Sequence, residues 1–146
     1  MRFWDSSALV SLVMEEPRST ACRRLLRADP RVAAWALTRT EMISAIHRKE
    51  RAGEIMADAM RLALGRVRRL ALGWTEIHAL DLARARAERL LAIHPLRAAD
   101  ALQLAAALLL ADGDPAGTAF VVLDDRLARA AAAEGFRVLV PGDGSA

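Results

Sequence analysis

The feature that most constrains this chain is its alternation of short apolar runs with longer amphipathic stretches, two of those runs ending on an aspartate. Arg2 to Trp4 stops at Asp5; Ser6, Ser7 and the pattern Ala8, Leu9, Leu12, Val13 follow, and Pro17 halts them. This order reads as strand, cap, helix. A second helix is expected from about Ser19 to Ala28, and a strand over Val32 to Leu37 after the Asp29-Pro30 turn. Helices are then expected over Thr38 to Ala52, which Gly53 ends, and over Glu54 to Leu72. Two more should run near Ile77 to Leu91 and from Leu96 to Ala111. Asp112 to Gly117 is a loop, Thr118 to Leu123 a buried strand closed by Asp124 and Asp125, and Arg137 to Val140 a last strand after a helix ending at Gly135.

Strands alternating with helices imply an α/β fold, a three-layer α/β/α arrangement around a mainly parallel sheet. The 146 residues suit one compact domain with a real core. We expect that domain to span residues 1–141 and residues 142–146 to form a flexible tail. In such sheets, sites lie beyond the carboxyl ends of the strands.

Composition narrows the possible functions. The hydrophobic fraction is 54%, but alanine inflates it, and the longest strictly apolar run, Leu104 to Ala111, is far short of a membrane span. No apolar stretch of signal-peptide length opens the chain, so a soluble, cytoplasmic protein is expected, with no membrane partner. A lone Cys22 and the widely spaced His47, His78 and His94 do not make a zinc site, which leaves a hard, oxygen-liganded ion as the better candidate. Net charge is only +3, yet 20 of the 21 basic residues are arginine, with Lys49 the single lysine. Clusters such as Arg23, Arg24, Arg27 and Arg48, Lys49, Arg51 would suit phosphate, or simply form solvated helix faces.

Asp5 and Asp124 each follow a strand, so both can meet above the sheet. Glu41 stands three residues after Thr38, and Asp100 lies near the start of an otherwise apolar helix. Taken singly, each acid also suits a helix start: two as N-caps, Glu41 in a capping box, Asp100 on the dipole. Helices that follow strands begin at one sheet edge, however, so these four carboxylates should converge. Two like charges ~4 Å apart cost on the order of 4 kcal/mol at an effective dielectric near 20. Mg²⁺, or Mn²⁺ in its place, would compensate and would suit phosphodiester hydrolysis by an activated water. Receiver domains and aspartyl-phosphate phosphohydrolases gather similar acids but need a lysine from a late strand, and the latter a second acid at position 7, which is Ser7.

Four stretches occur in order: Asp5-Ser6-Ser7-Ala8-Leu9, Leu37-Thr38-Arg39-Thr40-Glu41 with Ser44-Ala45 and Arg48-Lys49, Leu96-Arg97-Ala98-Ala99-Asp100-Ala101-Leu102, and Asp124-Asp125-Arg126-Leu127-Ala128. Together they resemble a PIN domain, and the compact size resembles the VapC-type toxins of bacterial toxin-antitoxin pairs. The similarity runs through nearly the whole chain. The resemblance implies a Mg²⁺-dependent endoribonuclease, usually a homodimer, silenced by a cognate antitoxin protein. It implies metal binding by Asp5, Glu41, Asp100 and Asp124, with Asp125 as the neighbouring alternative to Asp124. Val122 stands where the family often has serine or threonine, and Gln103 where histidine is common; neither removes a proposed ligand, and Ser6 is a candidate replacement hydroxyl. Arg39, Arg97 and Arg126, each within three residues of a proposed ligand, are candidate RNA phosphate contacts. The apolar Leu9, Leu12, Val13 face is a candidate dimer contact. The alternative is a weak or inactive PIN-like module that binds RNA or protein without cleaving.

Overall fold

The computed structural model describes residues 1–142. The elements run β1 (Arg2–Trp4), α1 (Ser6–Val13), α2 (Ser19–Ala28), β2 (Val32–Trp35), α3 (Thr38–Arg51), α4 (Ala57–Ala71) and β3 (Thr75–Ile77). They continue through α5 (Leu80–Ile93), α6 (Ala98–Ala111), β4 (Ala119–Val121), α7 (Asp125–Ala133) and β5 (Arg137–Leu139). The strands form one sheet in the order β3-β2-β1-β4-β5, every neighbouring pair parallel.

Period-two alternation divides the core into two layers. Phe3, Ala33, Trp35, Phe120 and Val122 pack on one side with α5, α6 and α7. Trp4, Val32, Ala34 and Val121 pack on the other with α1 to α4. The expected three-layer α/β/α fold is therefore the observed one. Phe3 and Phe120 stack at 5.2 Å between ring centroids, tying β1 to β4. The strand order reverses between these two strands, so the crevice above them is the topological switch point where α/β sheets place ligands.

Several expectations need correction. β3 was not anticipated: a helix near Ile77 was expected where a three-residue strand stands first, and α5 begins only at Leu80. An edge strand with Thr75 exposed and its other residues half-buried is too short to show a period. The strands after Val32 and before Asp124 are also shorter than expected, while Gly53 does end α3, at φ +74. Of Leu9, Leu12 and Val13, expected at a dimer contact, Leu9 and Val13 are buried inside their own chain against the sheet and Leu12 is half-buried against the same core, so the three do not form one exposed apolar face. Pro141 is buried, and Arg18 donates to its carbonyl, which holds the chain to that point. Of the expected tail, residues 143–146 lie outside the described residues. Among the described residues no single helix is long and apolar enough to cross a membrane.

Candidate metal and phosphodiester site

Four elements bring acids to the carboxyl edge of the sheet. Asp5 follows β1 and caps α1, its carboxylate accepting from the Ser7 amide at 3.0 Å and from the Ser7 hydroxyl. Asp124 follows β4 and caps α7, accepting from the Leu127 amide at 2.8 Å. Both aspartates thus serve as N-caps at the switch point.

Glu41 does not reach back to form a capping box. Leu37 is the N-cap of α3 and makes no side-chain cap bond. Glu41 instead turns outward from α3, with Ser6 Oγ donating to Oε2 at 3.0 Å and Gln103 Nε2 donating to Oε1 at 3.1 Å. Gln103 also donates to Thr38 Oγ1 at 3.0 Å. Both Gln103 and Thr38 are fully buried, so this amide fixes the carboxylate from behind. Asp100, in the first turn of α6, completes the set.

Glu41, Asp100 and Asp124 line one cleft of about 440 Å³ together with Arg48, Arg97 and Arg126. Asp5 is not on its lining and is only 3% exposed, but its charge is felt by Glu41 and it feels that of Asp100. Burial pushes the Asp5 carboxyl up to about 6, with Asp100 adding to the rise and the Ser7 bonds opposing it. Burial likewise pushes Glu41 up to about 7, with Asp5 and Asp100 adding to it while Ser6 and Gln103 oppose it. Asp100 is raised too, by burial and then by Asp124, while Arg97 and Arg126 pull it down. The acids therefore form one electrostatic cluster. Among the described residues no three of them are already closed tightly enough to hold an ion, as expected of like charges that spread apart. The donor set, four carboxylates with no neighbouring thiol or imidazole ligand, nevertheless fits a hard divalent cation.

The other candidates fall unevenly. Asp125 is exposed and does not line the cleft, whereas Asp124 does. Arg97 and Arg126 line it and, among the described residues, close no ion pair. Arg39 does not line it: two residues along α3 from Glu41, it points about 200° away and is exposed. Val122 is buried in the core, so the hydroxyl near the end of β4 comes from elsewhere. Ser7 Oγ accepts from the Leu123 amide at 3.3 Å while donating to Asp5. Ser6 serves Glu41 instead. Ser7, Thr38 and Gln103 escaped the sequence reading as supports of the cluster; two small residues at helix starts and one amide in an apolar helix carry little signal.

With this geometry in place, the comparisons are specific. The family model for the PIN domain matches residues 2–133, and the chain belongs to the PIN-domain family. Within it, the chain is similar to ribonuclease VapC46 of Mycobacterium tuberculosis (strain ATCC 25618 / H37Rv), 38% identical over 140 residues that cover 95% of this chain and 96% of that protein. The crystal structure of FitAcB from Neisseria gonorrhoeae shares the fold at a TM-score of 0.68 and 15% identity, covering 98% of this chain and 99% of its own. FitAB bound to an IR36 DNA fragment does so at 0.61 and 16% identity, covering 97% of this chain and 95% of its own.

Proposed function

We propose that this protein is an endoribonuclease that depends on Mg²⁺, or on Mn²⁺ in its place, and acts as the toxin of a toxin-antitoxin pair. The observation that carries the reading is the convergence of Asp5, Glu41, Asp100 and Asp124 at the switch point, with three of the carboxyls driven up by burial and by one another. The full-length likeness to a protein named a ribonuclease supports RNA as the substrate. The order of the four motifs supports the toxin role, a cognate antitoxin, a homodimer and a cytoplasmic setting.

Asp5, Glu41, Asp100 and Asp124 would hold the cation, with Asp125 the alternative to Asp124. When bound, it supplies Lewis acidity toward a phosphodiester oxygen and toward water. The chain's own contribution is orientation. Ser7 fixes Asp5, and Ser6 with Gln103 fixes both oxygens of Glu41, so these carboxylates meet a substrate without rotamer search. Glu41, fixed at the cleft wall by Ser6 and Gln103, suits accepting a hydrogen bond from water. Arg97 and Arg126 border the acids and suit the flanking phosphates. Water as nucleophile gives a 5′-phosphate and a 3′-hydroxyl.

Val122, which motivated the alternative of a non-cleaving binding module, lies in the core and leaves the cluster intact. Incubating the purified protein with single-stranded RNA, with Mg²⁺ or with EDTA, tests the proposal. Shortened RNA with 3′-hydroxyl ends is expected in Mg²⁺ alone. Cyclic 2′,3′-phosphate ends, or RNA retained at full length in Mg²⁺, would refute it.

A further inference from the structure

Beside the acid cleft lies a second concavity that hydrolysis does not use. α1 and α3 pack together, and between them opens a groove of about 450 Å³. Val10 from α1 and Thr40, Ser44 and Ala45 from α3 line it, next to Ser6 and Ser7. Positions 41, 44, 45 and 48 share one face of α3, so the groove runs along that helix from the acid site. The two concavities meet at common walls, Glu41 and Arg48. A polymer leaving the acid cleft past these residues enters the groove.

Arg48 differs from its basic neighbours. Lys49 is paired with Glu16 at 3.1 Å and Glu54 at 3.5 Å, and Arg51 is exposed at the helix end. Arg48 is exposed and lines both concavities, and among the described residues its guanidinium makes no hydrogen bond and no ion pair. A guanidinium is a planar fork matched to phosphate oxygens, and here it stands where the two concavities join. Thr40 and Ser44 offer hydroxyls that both donate and accept, while Val10 and Ala45 offer apolar surface to a sugar or base. The groove volume falls in the range of sites that take a small organic ligand. Phosphate, ribose and an unstacked base together meet all three requirements, charge, hydroxyl and apolar surface.

We propose that the α1–α3 groove is a subsite for one nucleotide of single-stranded RNA next to the cleaved bond, in which Arg48 grips its phosphate and Thr40 and Ser44 hydrogen-bond the nucleotide. This rests on the acid cleft being the RNA-cleaving centre. A base must leave its stack to lie between two helices, so the subsite selects single strands and loops over duplex.

Binding of a labelled single-stranded RNA oligonucleotide, followed by anisotropy in EDTA across a salt series, separates binding from chemistry. Arg48→Ala should weaken binding on the order of tenfold and lower the slope of log affinity against log salt by about 0.7. Arg48→Lys should keep the slope and recover part of the affinity. Ser44→Leu, which fills the groove, should weaken binding with the slope unchanged. In Mg²⁺, Arg48→Ala should raise KM and leave kcat nearly constant. Wild-type affinity and slope in both Arg48→Ala and Ser44→Leu, with wild-type protein still cleaving RNA, would overturn the subsite and leave the nuclease reading standing. Variants that bind RNA normally but lose a protein partner would also overturn it, by making the groove a partner site. Wild-type protein that neither binds nor cleaves RNA would overturn both.

Discussion

The inner and outer halves of the acid cluster are built differently. Inside, Asp5 and Glu41 are held by Ser7, Ser6 and Gln103 and carry proton affinities raised by burial. Outside, Asp124 is exposed, its side chain's one hydrogen bond among the described residues is a helix cap, and it shares the cleft with Arg97 and Arg126. The inner half is rigid and electrostatically strained; the outer half is solvated and bordered by cations. On the proposed reading, chemistry that demands fixed geometry falls to the inner acids, and substrate capture to the outer rim.

Substitutions should break this contrast in order of size. Asp5→Asn, Glu41→Gln and Asp100→Asn should each cut RNA cleavage in Mg²⁺ by more than the 10–100-fold typical of groups that only support a metal ligand. Asp124→Asn should cost less than these, and Asp125→Asn almost nothing. A gel-based cleavage assay ranks them, and equal losses at Asp124 and Asp125 would erase the distinction between the two neighbours. Gln103→Leu comes next. It removes the donor that holds Glu41 and strands the buried Thr38 hydroxyl, so activity should fall roughly 10–100-fold and stability by about 1–3 kcal/mol. Cleavage rates beside urea unfolding check both, and wild-type activity would mean Glu41 needs no such support. At the small end, Arg97→Ala and Arg126→Ala should each lower the salt slope of RNA binding by about 0.7, whereas Arg39→Ala should leave it unchanged.

The same contrast governs how legible the protein was. Asp5 and Asp124 could be read because an apolar run ending on an acid marks a strand end at the site edge. Glu41 and Asp100 were readable as helix-start acids, though nothing local said that Glu41 would turn to Ser6 and Gln103 rather than to its own helix. Gln103 sits among Leu102, Leu104 and Ala105 in a helix that reads as plain core, and its partners lie 62 and 65 residues away. Such long-range bonds leave no periodic trace. Leu9 and Val13 failed as a dimer face for a related reason: the same apolar residues that could meet another subunit were needed against the sheet. Arg39 was a matter of phase, since two steps along a helix put a residue on the far side from Glu41. β3, three residues at a sheet edge, is shorter than any pattern that alternation can reveal.

Proton affinity gives a further way to sharpen the comparison. Asp5 and Glu41 rise from 3.8 and 4.5 to about 6 and about 7 on folding. The folded chain therefore binds more protons than the unfolded one across that interval. Their contribution to stability is fully present below about pH 4 and is lost as pH rises through 6 and 7. In EDTA, the urea midpoint should decline between about pH 5 and pH 8, and Asp5→Asn should flatten that decline. A midpoint that climbs over this range, and does so equally in the variant, would show that burial does not strain these acids.

The most direct test of a cation-shaped acid cluster is thermal melting of wild type, Asp5→Asn and Asp100→Asn, each in EDTA and across a Mg²⁺ series. Asn keeps the shape and the capping ability of Asp while removing its charge. In EDTA both variants should melt above wild type by a few degrees, about 2–8 °C, although both have lost activity. Wild type should gain stability with the logarithm of Mg²⁺ concentration above its Kd, and the variants should gain less. Identical Mg²⁺ responses in all three proteins would contradict the metal site and leave these acids as helix caps alone.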